Sequence, residues 1–192
     1  MLEEEYQPRR KLPLHLLPVE PPETPFEFAI RDATAADLPH VREIYNHYVR
    51  NSSITFDEKP ISIPTMKAKF QRLSTKKLPF LVAVSPTGQI LGYALVVPWI
   101  DRAAARYTVE SSIYLGPAAT GKGLGKPLLG ELIERSKAAG LREMVAIIAD
   151  KGAEASIAIH QGFGFKDVGH MGKVGFKFNR WLGTVMMEKK LK

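Results

Sequence analysis

The glycine-and-lysine run Thr120-Gly121-Lys122-Gly123-Leu124-Gly125-Lys126 has the clearest chemical potential in this sequence. Glycines let a backbone approach a ligand closely, and a helix that starts among them offers free N–H groups to an anion. Lys122 and Lys126 add positive charge, and Pro127 falls in the first helical turn, where its missing donor costs nothing. The loop suits phosphate, although a ligand-free strand-to-helix turn would have the same composition. Two other side chains suit proton transfer. Glu110 falls inside a predicted strand, where glutamate is disfavoured, on one face with Thr108, Ser112 and Tyr114. It is either a solvated strand residue or a general base. His160 follows Ser156 by four residues, so the two share a face of a short predicted helix. Such a histidine is a structural hydrogen-bonding residue or part of a site. His15, His40, His47 and His170 show no compact ligand spacing, which predicts no metal.

These residues need a framework. Residues 28–30 read as a short strand. Thr34 and Asp37 have capping-box spacing, with Asp in place of Glu, ahead of Leu38, Val41, Ile44, Tyr45 and Tyr48 at helical intervals. A second helix is predicted over 64–73. Strands over 80–84 and 90–98 flank the hairpin signal Ser85-Pro-Thr-Gly88. A strand over 106–115 leads into the glycine loop, then a helix to 139 whose apolar face is Leu124, Leu128, Leu129, Leu132 and Ile133. A strand over 144–149, a helix over 154–161 and late strands over 165–170 and 185–191, separated by a loop, complete the pattern. The order β-α-α-β-β-β-α-β-α-β-β predicts an α/β (α+β) fold with an antiparallel centre.

A chain of 192 residues favours one main domain. Residues 1–25 differ from the rest, holding six of the fourteen prolines, and are predicted to be an extended arm preceding a globular domain over 26–192. The absence of cysteine excludes a disulfide framework, a cysteine-based metal centre and a cysteine nucleophile, and is compatible with a cytoplasmic setting. The formal charge of +7 attracts anions, which include nucleic acid, lipid and phosphate-rich small molecules. There is no basic run interleaved with aromatics and no helix-turn-helix pattern, so no nucleic-acid partner is predicted. The start of the chain is acidic where a signal peptide is basic, and the apolar run over 91–100 falls short of the roughly 20 residues a membrane helix needs.

Three phosphate-binding patterns compete for the glycine loop. Gly116 to Lys122 nearly spells a P-loop, but Gly123 stands where a Ser or Thr would hold magnesium. A dinucleotide fingerprint fails because Leu128 occupies its third glycine position. The third pattern, Gln/Arg-x-x-Gly-x-Gly/Ala, is met from Thr120 to Gly125 with Thr120 replacing the leading residue. That loop is similar to the one in the GNAT superfamily of acetyl-CoA-dependent N-acetyltransferases. Other segments resemble its phosphinothricin acetyltransferase-like group: Ile44-Tyr-Asn-His-Tyr48, Thr55-Phe-Asp-Glu-Lys-Pro60, Val109-Glu-Ser-Ser-Ile-Tyr114, Ser156-Ile-Ala-Ile-His-Gln-Gly-Phe-Gly-Phe165 and Gly175-Phe-Lys-Phe-Asn-Arg-Trp181. The resemblance spans about 28–190. It departs from the group at Gly183, two positions after Trp181, where an Asp is frequent, and at Ala153, where an Asn is frequent.

The resemblance implies a mostly antiparallel sheet flanked by helices and splayed where acetyl-CoA enters. It implies a catalytic role for Glu110 as base and an active-site position for His160. It implies a cofactor site formed by the backbone of Ile113, Tyr114 and Leu115, the loop from Thr120 to Lys126, and Ser156. Phe56, Arg102, Tyr107, Lys177 and Trp181 become candidates for the acceptor side, with the Arg102 fork suited to a carboxylate or phosphinate. The implied reaction is direct transfer from acetyl-CoA to the α-amine of a small amino acid or analogue, such as phosphinothricin, methionine sulfoximine or methionine sulfone, in a homodimer. Acetylation of protein N-termini or other amines, or acyl-CoA binding without catalysis, are the alternatives.

Overall fold

The computed structural model describes residues 26–192, and the predicted arm over 1–25 lies outside the described residues. Seven strands and four α-helices alternate as β1 (Ala29–Asp32), α1 (Leu38–Asn51), α2 (Ile63–Thr75), β2 (Phe80–Val84), β3 (Ile90–Pro98), β4 (Thr108–Leu115), α3 (Gly125–Ala138), β5 (Glu143–Ala149), α4 (Glu154–Gly162), β6 (Lys166–Lys177) and β7 (Arg180–Lys190). The strands form one sheet in the order β1-β2-β3-β4-β5-β7-β6. β4 and β5 run parallel, and the other neighbouring pairs among the described residues are antiparallel.

Alternation along the central strands feeds two cores. Phe80, Val82 and Val84 of β2 pack with Tyr93 and Leu95 of β3 beneath the apolar faces of α1 and α2. Leu81 and Ala83 point the other way, with Ala94, Val96 and Val109, against Leu124, Leu128, Leu129, Leu132 and Ile133 of α3. A strand covered on both faces carries no polar alternation, which explains the unbroken apolar run of β2. Each such Leu or Val contributes about 1.5–3 kcal/mol by leaving water.

The structure departs from the sequence expectations in three places. Thr34 does not cap α1. Asp37 is the N-cap, and its carboxylate reaches back to accept from Thr34 N (2.7 Å), Thr34 Oγ1 (2.8 Å) and both Arg31 guanidinium nitrogens. The strand expected from residue 106 begins at Thr108, because a 3-10 turn occupies Ala103–Ala105. The loop expected between the late strands is absent. β6 and β7 extend through it into a long hairpin that turns at Phe178 and Asn179, both with positive φ (51° and 56°). Two consecutive left-handed residues give the turn twist that matches a hairpin.

The feature that positions the site is a split in the sheet. β4 and β5 pair only from Thr108↔Glu143 to Ser111↔Ala146. Beyond that point Ser112 to Leu115 pair only with β3, and Ile147 to Ala149 only with β7. The buried Ser111 hydroxyl donates to the Val145 carbonyl at the base of the split (3.3 Å).

Candidate active site

A cavity of about 130 Å³ occupies the split. Its walls include Glu110, Ser112 and Tyr114 from β4, Ile54 from the α1–α2 connection, and Ala153, Ser156 and His160 from the start and body of α4. The two groups suited to proton transfer therefore line one space. Glu110 sits opposite Val97 on the α2 side of the sheet and is half-buried. Burial raises its carboxyl above the ordinary range, and the Lys69 ammonium partly offsets this.

His160 is 3% exposed. Its Nδ1 lies 2.8 Å from the Ser156 carbonyl, and its ring stands edge-on to Phe165. A carbonyl only accepts, so Nδ1 carries the hydrogen and Nε2 is left as an acceptor. Nε2 is buried and has no partner among the described residues. Burial lowers the pKa of the ring, so it is neutral at pH 7.

The remaining cofactor candidates lie at the end of β4 and in the loop that follows it. Gly121 and Gly123 have φ of 79° and 77°, and a Cβ on either would meet nothing within 4 Å. Their backbone faces open space, as a cradle for an anion requires. Gly125 serves packing instead, since a Cβ there would lie 3.0 Å from Ile159. The Leu124 side chain is wholly in the core, so this residue offers a ligand only its backbone. Thr120 donates to the Gly116 carbonyl (3.3 Å). The Lys122 ammonium rests over the Phe26 ring, and Lys126 is exposed. Ile113 and Leu115 turn their side chains to the α3 core, while Tyr114 stacks on Tyr93 and meets Tyr45 edge-on. Burial pushes Tyr114 up to about 12, so it stays a neutral wall. The sequence reading missed Tyr48, whose hydroxyl donates to the Leu115 carbonyl (2.6 Å) and ties α1 to the end of β4.

The acceptor candidates do not converge in the same way. Arg102 and Tyr107 line a different cavity of about 350 Å³ at the start of β4, together with Lys76, Asp101 and Leu141. The connection that carries them leaves the sheet before the split, and the structure does not bring them into the Glu110 cavity. Lys177 is 3% exposed, and its ammonium donates to the carbonyls of Ser52 (2.8 Å) and Thr55 (2.9 Å), so it braces the α1–α2 connection. Phe56 packs its ring on Gly175, where a Cβ would lie 3.1 Å away, and its neighbour Ile54 is the residue that reaches the cavity. Trp181 is exposed, meets Phe176 edge-on and lines a small cavity with Asp150 and Arg180. Among the described residues no group of three or more His, Cys, Asp or Glu side chains could hold a metal, and no helix is long and apolar enough to cross a membrane.

Comparison with known proteins gives the same fold and a family. A family model described as an acetyltransferase (GNAT) domain matches residues 30–186. An L-methionine sulfoximine/L-methionine sulfone acetyltransferase of Pseudomonas aeruginosa is 42% identical over 163 residues, covering 85% of this chain and 94% of the relative. A phosphinothricin N-acetyltransferase of Alcaligenes faecalis is 39% identical over 155 residues, covering 81% and 78%. The crystal structure of a GNAT superfamily phosphinothricin acetyltransferase from Sinorhizobium meliloti in complex with AcCoA superposes with a TM-score of 0.81 at 43% identity, covering 85% of this chain and 88% of that one. With the split sheet, the open glycine loop and the cavity lined by both Glu110 and His160 in view, the chain belongs to the GNAT acetyltransferase family.

Proposed function

We propose that this protein is an acetyl-CoA-dependent N-acetyltransferase acting on the α-amine of a small amino acid or analogue of the phosphinothricin, methionine sulfoximine or methionine sulfone type. The observation that carries the reading is the cavity in the split, which Glu110 and His160 both line beside an unpaired strand edge. Relatives named for those three acceptors support the substrate class.

The residues present fit acetyl-CoA. The backbone at Gly121 and Gly123 lies open for the pyrophosphate, with Lys122 and Lys126 adding charge. The unpaired edge from Ser112 to Leu115 suits the amide-bearing pantetheine arm, which adds to a sheet edge as a strand does. Acetyl-CoA supplies an activated acyl group. An amine is mostly protonated at neutral pH, so it must lose a proton before it attacks. Glu110 accepts that proton, directly or through water, and its burial-raised affinity makes it a better base than a free glutamate. With acetyl-CoA bound, a backbone N–H left free of β5 beyond Ser111 would donate to the thioester carbonyl oxygen and stabilise charge there. Neutral His160, held through Nδ1 by the Ser156 carbonyl, lines the same cavity and keeps Nε2 as an unprotonated acceptor. Transfer is direct, with both substrates bound.

We further propose a cytoplasmic homodimer without nucleic-acid or membrane partners, with the transferase domain over 26–192. The exposed Phe176, Phe178 and Trp181 of the β6–β7 hairpin offer an apolar surface that supports self-association. A phosphate-rich substrate gives the +7 charge a use.

The test is CoA release from acetyl-CoA across amines that include phosphinothricin and methionine sulfone, with Glu110→Gln alongside. Turnover of a panel member that falls about 10²–10⁴-fold in the variant is the expected result. Binding of acetyl-CoA with no turnover of any amino acid, but with turnover of a peptide N-terminus, overturns the acceptor class.

A further inference from the structure

The cavity in the split takes most of its wall from β4, β5 and the start and body of α4. Ile54 is the exception, the one lining residue among the described residues that comes from the α1–α2 connection. That connection, over 52–62, has no helix or strand of its own, yet it is fixed from two sides. On the α1 side, the buried Asn46 side chain holds both backbone groups of Ile61, donating to the carbonyl (3.1 Å) and accepting from the N–H (2.9 Å). The Tyr45 hydroxyl meets Thr55 Oγ1 (3.0 Å). On the side of the β6–β7 hairpin, Lys177 holds the Ser52 and Thr55 carbonyls, Arg180 donates to Ser53 Oγ (3.3 Å), and Gly175 seats the Phe56 ring. Ile54 itself donates from its backbone N–H to Ser52 Oγ (3.1 Å). A β-branched side chain has few rotamers, and on a backbone tied in this way it forms a rigid wall.

The size of the cavity gives that wall a consequence. It has about 130 Å³. A cavity of roughly 150 Å³ holds one benzene-sized molecule, so about six non-hydrogen atoms fill the space beside Ile54. An acetyl group is half of that. The remainder takes the attacking nitrogen, the α-carbon that bears it and little more. We propose, resting on the acetyltransferase reading above, that Ile54 is a specificity-determining residue that limits the acceptor to amines whose α-carbon carries an unbranched chain and excludes those branched at the β-carbon. Glu110 lines the same cavity and fixes the side on which the amine loses its proton, so the acceptor cannot back away from Ile54 and still react. The Ile54 side chain has no hydrogen-bonding group, so it selects by shape alone. One carbon too many in an apolar pocket lowers kcat/KM by about 10–200-fold.

The experiment compares methionine sulfone with its β-methyl homologue, which differs by one carbon and keeps every polar group. In the wild type, kcat/KM for the unbranched amine exceeds that for the branched one by about 10–200-fold. In Ile54→Ala the two come within about threefold, through a gain for the branched amine. Ile54→Val, one carbon smaller and still β-branched, falls between. The ratio of two acceptors within one protein does not depend on the folded fraction, so partial misfolding of a variant leaves the readout intact. A wild type that does not distinguish the two amines, or an Ile54→Ala protein with the wild-type ratio, overturns the proposal. If the wild type acetylates neither amine, calorimetry with each amine in the presence of CoA separates the two readings. Binding that favours the unbranched amine in the wild type and not in Ile54→Ala keeps the wall and removes the reaction. No binding, or the same preference in both proteins, removes the wall.

Discussion

The carboxylate of Asp150 fills the space that a side chain at Gly183 would need: a Cβ on Gly183 would lie 2.2 Å from Asp150 Oδ2 and 2.8 Å from the Met171 carbonyl. Asp150 is held there by its own N–H to the Gly183 carbonyl (3.1 Å) and by His170 Nε2 (3.0 Å). The phosphinothricin acetyltransferase-like group frequently has Asp at the position of Gly183. In this chain a carboxylate reaches the same place from the end of β5. Restoring the group's residue by Gly183→Asp therefore sets two carboxylates on one spot, and overpacking of this kind costs about 1–3 kcal/mol. Thermal melts should show Gly183→Asp below wild type and the double variant with Asp150→Ser recovering part of the loss. The recovery is partial because the Met171 carbonyl stays. A Gly183→Asp protein as stable as wild type would show that the strand yields freely.

Glu110 gives the reaction its acid limb. Burial raises its pKa above the ordinary glutamate value of about 4.3, so the ionised, proton-accepting form is lost as pH falls through that raised value. kcat/KM should drop on the acid side at a pH above the ordinary glutamate range. The Glu110→Gln profile should lack that limb and retain only the titration of the acceptor amine. In Lys69→Met the limb should move to higher pH, since the cation that favours the ionised form is gone. A pH–rate profile with the same limb in Glu110→Gln would assign the base elsewhere.

Much of this was legible in the sequence where one physical cause dominated. The bounds of β2 and β3 match their apolar runs because both faces are buried. Glu110 stood out because a charged residue interrupts a strand pattern. The β6–β7 hairpin was illegible for the opposite reason. β6 is an edge strand, exposed along most of its length and interrupted by Gly169, Gly172 and Gly175, so it carries no alternation to read. Its turn uses Phe178 in a left-handed conformation that residue type does not advertise. Lys69 was hidden within Lys67-Ala-Lys69, which has the pattern of a solvated helix face. Whether a helical lysine faces water or a cavity depends on the connection over 52–62 that folds against α2, and local sequence does not encode that contact.

Gly123 tests the anion cradle. Its φ of 77° is strained for any side chain, at about 1–2 kcal/mol, and a Cβ there would enter the space left open for a ligand. Gly123→Val should raise KM for acetyl-CoA at least tenfold and leave KM for the acceptor within about twofold. Equal rises in both would mean that the loop shapes the whole site rather than the pyrophosphate end.

Ala153 is the N-cap of α4, and its side chain makes no capping hydrogen bond. An Asn side chain accepts from the N–H groups of the first turn and is worth about 0.5–2 kcal/mol over Ala. Ala153→Asn should raise Tm by roughly 2–4 °C per kcal/mol gained. Because residue 153 also lines the cavity in the split, KM for acetyl-CoA measured alongside shows whether the cap narrows the site.

Lys177 is the remaining test, because its position separates bracing from binding. Its ammonium is buried and donates to two carbonyls, Ser52 and Thr55, at either end of a short stretch that includes Ile54, which lines the cavity with Glu110. Thr55 in turn meets the Tyr45 hydroxyl. Lys177→Met keeps the stem and leaves both carbonyls without their donor. Hydrogen bonds to a charged group are worth about 1.5–3 kcal/mol each in comparable deletions, and water entering the gap recovers part of this, so a loss of about 2–3 kcal/mol is expected in denaturant unfolding. With the brace gone, Ile54 and the Tyr45–Thr55 contact lose their fixed position. KM for the acceptor should then rise severalfold at a temperature where the variant is folded, with KM for acetyl-CoA unchanged. If Lys177 bound the acceptor instead, Lys177→Met would weaken the acceptor without destabilising the fold. Unfolding curves measured beside the kinetics distinguish the two.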